Sequence, residues 1–71
     1  MNAPEWLAAF AAKLGVDPPT KEEFTAILDL TAEAAHSSER VAGPAAGWLA
    51  AKAGVSLEEA LRLAKEVGGD S

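Results

Sequence analysis

The chain is predicted to be all-α, a compact bundle of about four short helices. Apolar residues recur at helical spacing between Gly and Pro breaks, helix-starting signatures stand before three of those stretches, and no segment alternates apolar with polar as a half-buried strand does. With 71 residues, the chain makes one domain spanning 1–71.

The first helix is expected near residues 4–14. Asn2 is placed to cap it, Pro4 suits its first turn, and Trp6, Leu7, Phe10 and Leu14 fall on one side. Gly15 ends it. Val16, Asp17, Pro18 and Pro19 then form a rigid connector, because neither proline donates a backbone hydrogen bond and each disfavours helical angles in the residue before it. Thr20 and Glu23 make a capping box for a second helix near 21–40, with Phe24, Ile27, Leu28, Thr31, Ala34 and Ala35 along one face. Gly43 and Pro44 break it, and Pro44 opens a third helix near 44–53 that carries Trp48 and Leu49 and stops at Gly54. Ser56 and Glu59 make another capping box for a fourth helix near 57–67, whose stripe is Leu57, Ala60, Leu61, Ala64 and Val67, ended by Gly68 and Gly69 with Asp70 and Ser71 frayed.

Composition narrows the function. There is no cysteine, so disulfides, thiolate metal sites and thiol nucleophiles are excluded together, and a reducing cytoplasm fits the chain. Eleven acidic against six basic side chains give a net charge of −5, which opposes binding to nucleic acid. No apolar run approaches the roughly 20 residues that cross a bilayer, so no membrane is expected either. The hydrophobic fraction of 49% is inflated by alanine. The expected core therefore rests on Trp6, Leu7, Phe10, Leu14, Phe24, Ile27, Leu28, Leu30, Trp48, Leu49, Leu57, Leu61, Leu63 and Val67.

No catalytic residue and no cofactor is expected. Tyr is absent, Ser37 and Ser38 sit too close to His36 along one turn for nucleophile-and-base geometry, and no glycine-rich phosphate loop is present. Two polar groupings are candidate binding sites. On a helix running to Arg40, the side chains of Asp29, Glu33, His36 and Arg40 would form one ridge, in which Glu33 and His36 resemble half of a carboxylate-bridged metal site. The matching half is missing from the chain, so the ridge reads as a solvated face with intrahelical ion pairs, and no metal is expected. The second grouping sets His36 and Arg40 beside the start of the third helix at Gly43 to Ala45, where unpaired N–H groups and a guanidinium could hold a small anion or a nucleotide phosphate.

Two features bear on association. Trp6 and Trp48 are expected in the core, with interface anchors as the alternative. Gly43, Gly47, Ala50 and Gly54 stack in a small-residue stripe that admits a close helix, either within the chain or across a homodimer.

The Trp6-Leu7 start, the turn Leu14-Gly15-Val16-Asp17-Pro18, the stretch Ala34-Ala35-His36-Ser37-Ser38-Glu39-Arg40, then Ala42-Gly43-Pro44 and Trp48-Leu49-Ala50 resemble a small bacterial helical domain of unknown function. That domain is found alone or fused behind the nucleotidyltransferase that attaches a guanine nucleotide to molybdopterin. The resemblance covers nearly the whole chain, and His36, Arg40 and Pro44 match its recurring positions. It implies a non-enzymatic accessory or protein-interaction domain near molybdenum cofactor biosynthesis, either docking a protein partner, the nucleotidyltransferase, or contacting its substrate.

Overall fold

A computed structural model of the chain describes residues 1–68. Among these, four α-helices and no strand form the fold: α1 (Ala3–Leu14), α2 (Lys21–Ser37), α3 (Ala42–Ala53) and α4 (Leu57–Gly68). The expected ends at Gly69, Asp70 and Ser71 lie outside the described residues.

Local chemistry accounts for the helix ends. Asn2 and Glu5 close a capping box on α1, each side chain accepting from the other's backbone N–H at 2.9 Å. Thr20 and Glu23 do the same on α2, at 2.8 and 3.1 Å. At the other end of α1, Gly15 adopts φ 79°, a left-handed conformation that costs glycine nothing, and the N–H of Val16 reaches back to the carbonyl of Ala11 at 3.0 Å. The α1 helix is thus capped at both ends by residues within or beside it.

Two boundaries differ from expectation. α2 ends at Ser37 and not at Arg40, because Ser38 leaves helical space at φ −135° and ψ −104° and the Ser37 hydroxyl turns back to donate to the carbonyl of Glu33. α3 begins at Ala42, two residues before Pro44, since a proline within the first turn gives up an N–H that has no intrahelical partner there.

α2 is the central element. α3 and α4 both pack against it, and neither makes a comparable contact with the other or with α1. The approach to α2 is made by small residues. A Cβ on Gly43 would sit 3.4 Å from Thr31, and Ala50 and Ala60 are buried against Leu30. At the far end, a Cβ on Gly68 would fall 2.9 Å from the Cβ of Ser37, so the last turn of α4 lies directly on the end of α2.

The expected core is corrected here. Among the described residues the buried apolar set is Ala11, Leu30, Ala50 and Ala60, and Leu30, at 2% exposure, is the one large side chain in it. Trp6, Phe10, Leu14, Leu28, Trp48, Leu49, Leu63 and Val67 are all exposed, and Leu7, Phe24, Ile27, Leu57 and Leu61 are half-buried. Helix geometry supplies the reason. With roughly 100° per residue, choosing Ala50 as the face toward α2 turns Trp48 to the opposite side of α3, and choosing Leu30 turns Leu28 outward on α2.

Candidate functional site

Because α3 and α4 each lean on α2 but not on one another, a groove of about 480 Å³ opens between them. Alanines form much of its surface, including Ala34 of α2, Ala46 and Ala50 of α3, and Ala60 and Ala64 of α4. Its larger walls are Leu49, Val55, Leu63 and Val67. Ser37 and Ser38 are its polar members, and no charged side chain lines it. Such a surface fits apolar side chains from another molecule.

The remaining large apolar side chains lie elsewhere. On α1, Trp6 and Phe10 rest ring against ring, centroids 5.1 Å apart, and with Leu14 they form an exposed ridge at four-residue spacing. Trp48, 62% exposed, stands on the outer side of α3 with the ammonium of Lys52 4.7 Å from its ring centre, a cation–π contact one turn along the helix. A second hollow of about 380 Å³ lies between α1 and the start of α2, where Leu7 and Phe24 meet Pro18 and Pro19.

The polar groupings expected from the sequence are taken apart by the early end of α2. Arg40 leaves the ridge of Asp29, Glu33 and His36, because it lies in the turn that leads to α3. It lines a shallow hollow with Leu28, Thr31, Gly43 and Pro44, whereas Ala45 faces the α3–α4 groove and His36 lines neither. The start of α3 is also short of free donors. The N–H of Ala42 is taken by the carbonyl of Glu39 at 2.9 Å, that of Gly43 by Arg40 at 3.1 Å, and Pro44 has none. Of the candidate anion residues, Arg40 and Gly43 stay together, and the Gly43 N–H is engaged within the turn. Glu33 and His36 remain one turn apart on α2, and among the described residues no group of three or more His, Asp or Glu is placed to hold a metal.

The small-residue stripe is divided as well. Gly43 and Ala50 pack within the chain, Gly54 caps α3 at φ 73°, and a Cβ on Gly47 would meet nothing within 4 Å.

Ion pairing appears on α4, which the sequence reading had not singled out. Arg62 donates to Glu59 at 2.9 and 2.6 Å and to Glu66 at 2.7 Å. The hydrogen bonds from Arg62 lower the pKa of Glu59, and those from Glu59 raise that of Arg62. Ser56 still accepts from the backbone N–H of Glu59 at 3.1 Å, but both Glu59 oxygens are turned to the guanidinium. A charged bidentate bond competes there with a single neutral one, so the expected box at Ser56 is made from the serine side. The groove walls were equally overlooked as surface, although Leu63 and Val67, one turn apart, flank the alanines of α4 and hint at it.

The fold and surface define a small all-α domain with little interior and many exposed large apolar side chains. The chain belongs to a family known as a domain of unknown function (DUF6457), which matches residues 1–70. No curated protein and no solved structure matches it. Among the described residues no helix is long and apolar enough to cross a membrane.

Proposed function

We propose that the chain is a protein-interaction domain with no catalytic activity of its own. Its partner, as the resemblance set out above implies, is the nucleotidyltransferase that adds a guanine nucleotide to molybdopterin.

The observation that carries this reading is the amount of surface left uncovered. A folded monomer of 7.3 kDa exposes about 4,200 Å² by the size scaling of globular proteins, whereas this chain exposes 5416 Å². The excess of about 1,200 Å² exceeds the roughly 800 Å² that each partner contributes to a standard protein interface. Exposed large apolar side chains contribute to it, Trp48 at 62% exposure among them, and tryptophan is one of the residue types enriched among interface hot spots. Active sites, by contrast, are built around buried ionisable groups with displaced pKa values. Among the described residues no polar or charged side chain is buried, and the displaced pairs belong to an exposed helix surface.

Calorimetric titration of the domain into such a nucleotidyltransferase tests the proposal. Saturable binding is expected, weakened about 30-fold or more by Trp48→Ala, the loss typical of a hot-spot side chain. Absence of heat at about 100 μM of each protein would remove this partner. Binding that Trp48→Ala leaves unchanged would remove the outer face of α3 as the contact.

A further inference from the structure

We infer that the partner presents an acidic, apolar protein segment to the outer face of α3, with an apolar side chain meeting Trp48 and carboxylates meeting Lys52 and Arg40. This rests on the interaction reading and assigns the chemistry of its partner at the Trp48 face.

Charge is sorted along the chain. From Arg40 to Leu57 the charged side chains are Arg40 and Lys52, both positive, whereas the rest of the chain carries four basic side chains against eleven acidic ones. A chain of net charge −5 thus keeps α3 free of carboxylates, while α1, α2 and α4 each carry them. An acidic surface that approaches α1, α2 or α4 meets like charge on the helix, and one that approaches α3 meets opposite charge.

The two cations are also uncommitted. Arg62 gives its guanidinium to Glu59 and Glu66, but among the described residues neither Arg40 nor Lys52 makes an ion pair, not even Arg40 with its neighbour Glu39. The Lys52 ammonium stands 4.7 Å from the centre of the Trp48 ring. A ring face attracts a cation without occupying all three of its N–H donors, so the ammonium can still donate to a carboxylate while it rests beside the indole.

Anchor and cations share one side of the helix. Val41 holds helical backbone angles at φ −68° and ψ −14°, and Trp48 and Lys52 follow it at spacings of seven and four residues, which sets the three in line. Val41 and Trp48 are both exposed, and Pro44 lies one turn before Trp48. Arg40 borders this line at its start, since it lines a hollow together with Pro44. Apolar side chains in the middle with a cation towards each end is the layout of an interface with an anchoring centre and a charged rim. Exposed rim cations give up little hydration when they meet carboxylates, so the pairing selects the partner at small cost.

A protein segment fits this face better than a polyanion. Nucleic acids and anionic bilayers are held by many basic side chains at once, and two cations on a chain with eleven carboxylates do not supply them. A protein segment brings a few carboxylates and an apolar side chain together.

Two synthetic amphipathic helical peptides test the inference, sharing one leucine stripe and carrying glutamates on the other face in the first and lysines in the second. Each is titrated into the ¹⁵N-labelled chain. The glutamate peptide is expected to shift the Trp48 indole N–H and the amides from Arg40 to Lys52 saturably, with a Kd below about 1 mM, and the lysine peptide to leave those signals in place. The double variant Arg40→Glu, Lys52→Glu is expected to weaken the glutamate peptide at least about 10-fold. Lys13→Glu with Lys65→Glu changes the net charge equally on α1 and α4, and is expected to change that affinity less than about 2-fold. Arg40 and Lys52 are exposed, so their variant keeps its helical circular dichroism, and Lys52→Met, which retains a stem over the Trp48 ring, is the second variant should it unfold.

A lysine peptide that moves the Trp48 signal as strongly, or no shift from either peptide up to about 2 mM, would overturn the inference. Phosphatidylserine vesicles that broaden the Trp48 signal where the glutamate peptide leaves it unmoved would overturn it in favour of anionic lipid. The nucleotidyltransferase titration is read separately. Binding there that Trp48→Ala weakens and the Arg40→Glu, Lys52→Glu variant does not would leave the interaction reading standing and overturn the acidic partner. Absence of heat beside a selective glutamate peptide removes that nucleotidyltransferase and upholds the acidic chemistry of the face.

Discussion

Leu30 is the point at which the fold is most exposed to a single change. Its side chain is 2% accessible and packs with Ala50 of α3 and Ala60 of α4, so it joins the three helices that make up the body of the domain. Leu30→Ala removes that contact and leaves a cavity among alanines, which are too short to collapse into it. Leu→Ala changes at buried sites cost about 2.7 to 5 kcal/mol, and poor collapse places this one at about 3 to 4 kcal/mol. A chain of this length has about 4 to 10 kcal/mol of stability in all, so the variant loses between a third and nearly all of it. For a domain of this size each kcal/mol moves the melting temperature by about 4 to 8 °C, which gives a drop of at least about 12 °C. Urea and thermal unfolding followed by far-ultraviolet circular dichroism, at one fixed protein concentration, measure it. Leu28→Ala, two residues away but on the outer side of α2, serves as the control and is expected to cost under about 1 kcal/mol. If the two variants cost the same, α2 is not oriented as described and the reasoning from Leu30 fails.

Two further outcomes can be measured alongside it. Gly47→Ala should stabilise the chain by about 0.5 to 1 kcal/mol, because a methyl group there meets nothing within 4 Å and alanine suits a helix interior better than glycine; a loss of stability in urea would mean that another helix packs on that position. Arg62→Ala should lower the melting temperature at pH 7, and the difference from the natural chain should fade as the pH falls through and below the ordinary carboxylate range. The folded-state pKa of Glu59 is depressed, so its contribution is present above the unfolded value and is lost on acidification through the lower, folded one. A melting difference that persists unchanged at pH 2 would show that Arg62 acts by packing and not by charge.

The helices and their ends were legible in the sequence because their causes are local. Asn2 with Glu5 and Thr20 with Glu23 need only residues three apart, and Gly15 needs only a positive φ. Where two local preferences competed, the chain alone did not decide between them. Ser37, Ser38 and Arg40 could as well have continued α2, and only the turn through Glu39 and Arg40, with carbonyls engaged by Ala42 and Gly43, settled its end. That one shift separated Arg40 from the ridge of Asp29, Glu33 and His36 and engaged the Ala42 and Gly43 N–H groups at the start of α3.

The all-α class and the break points follow from the chain alone, since capping boxes, prolines and left-handed glycines act within a turn or two. Which side of each helix faces inward followed only from packing. Periodicity groups Trp48 and Leu49 as apolar and Gly43 and Ala50 as small, but it does not say which group meets α2. Close approach favoured the small residues at Gly43, Ala50 and Ala60, and the large side chains were carried round to the outside with them. A chain with this much alanine fills its interior with methyl groups and leaves its tryptophans for other molecules, because apolar area that its own helices do not cover is gained back only by association.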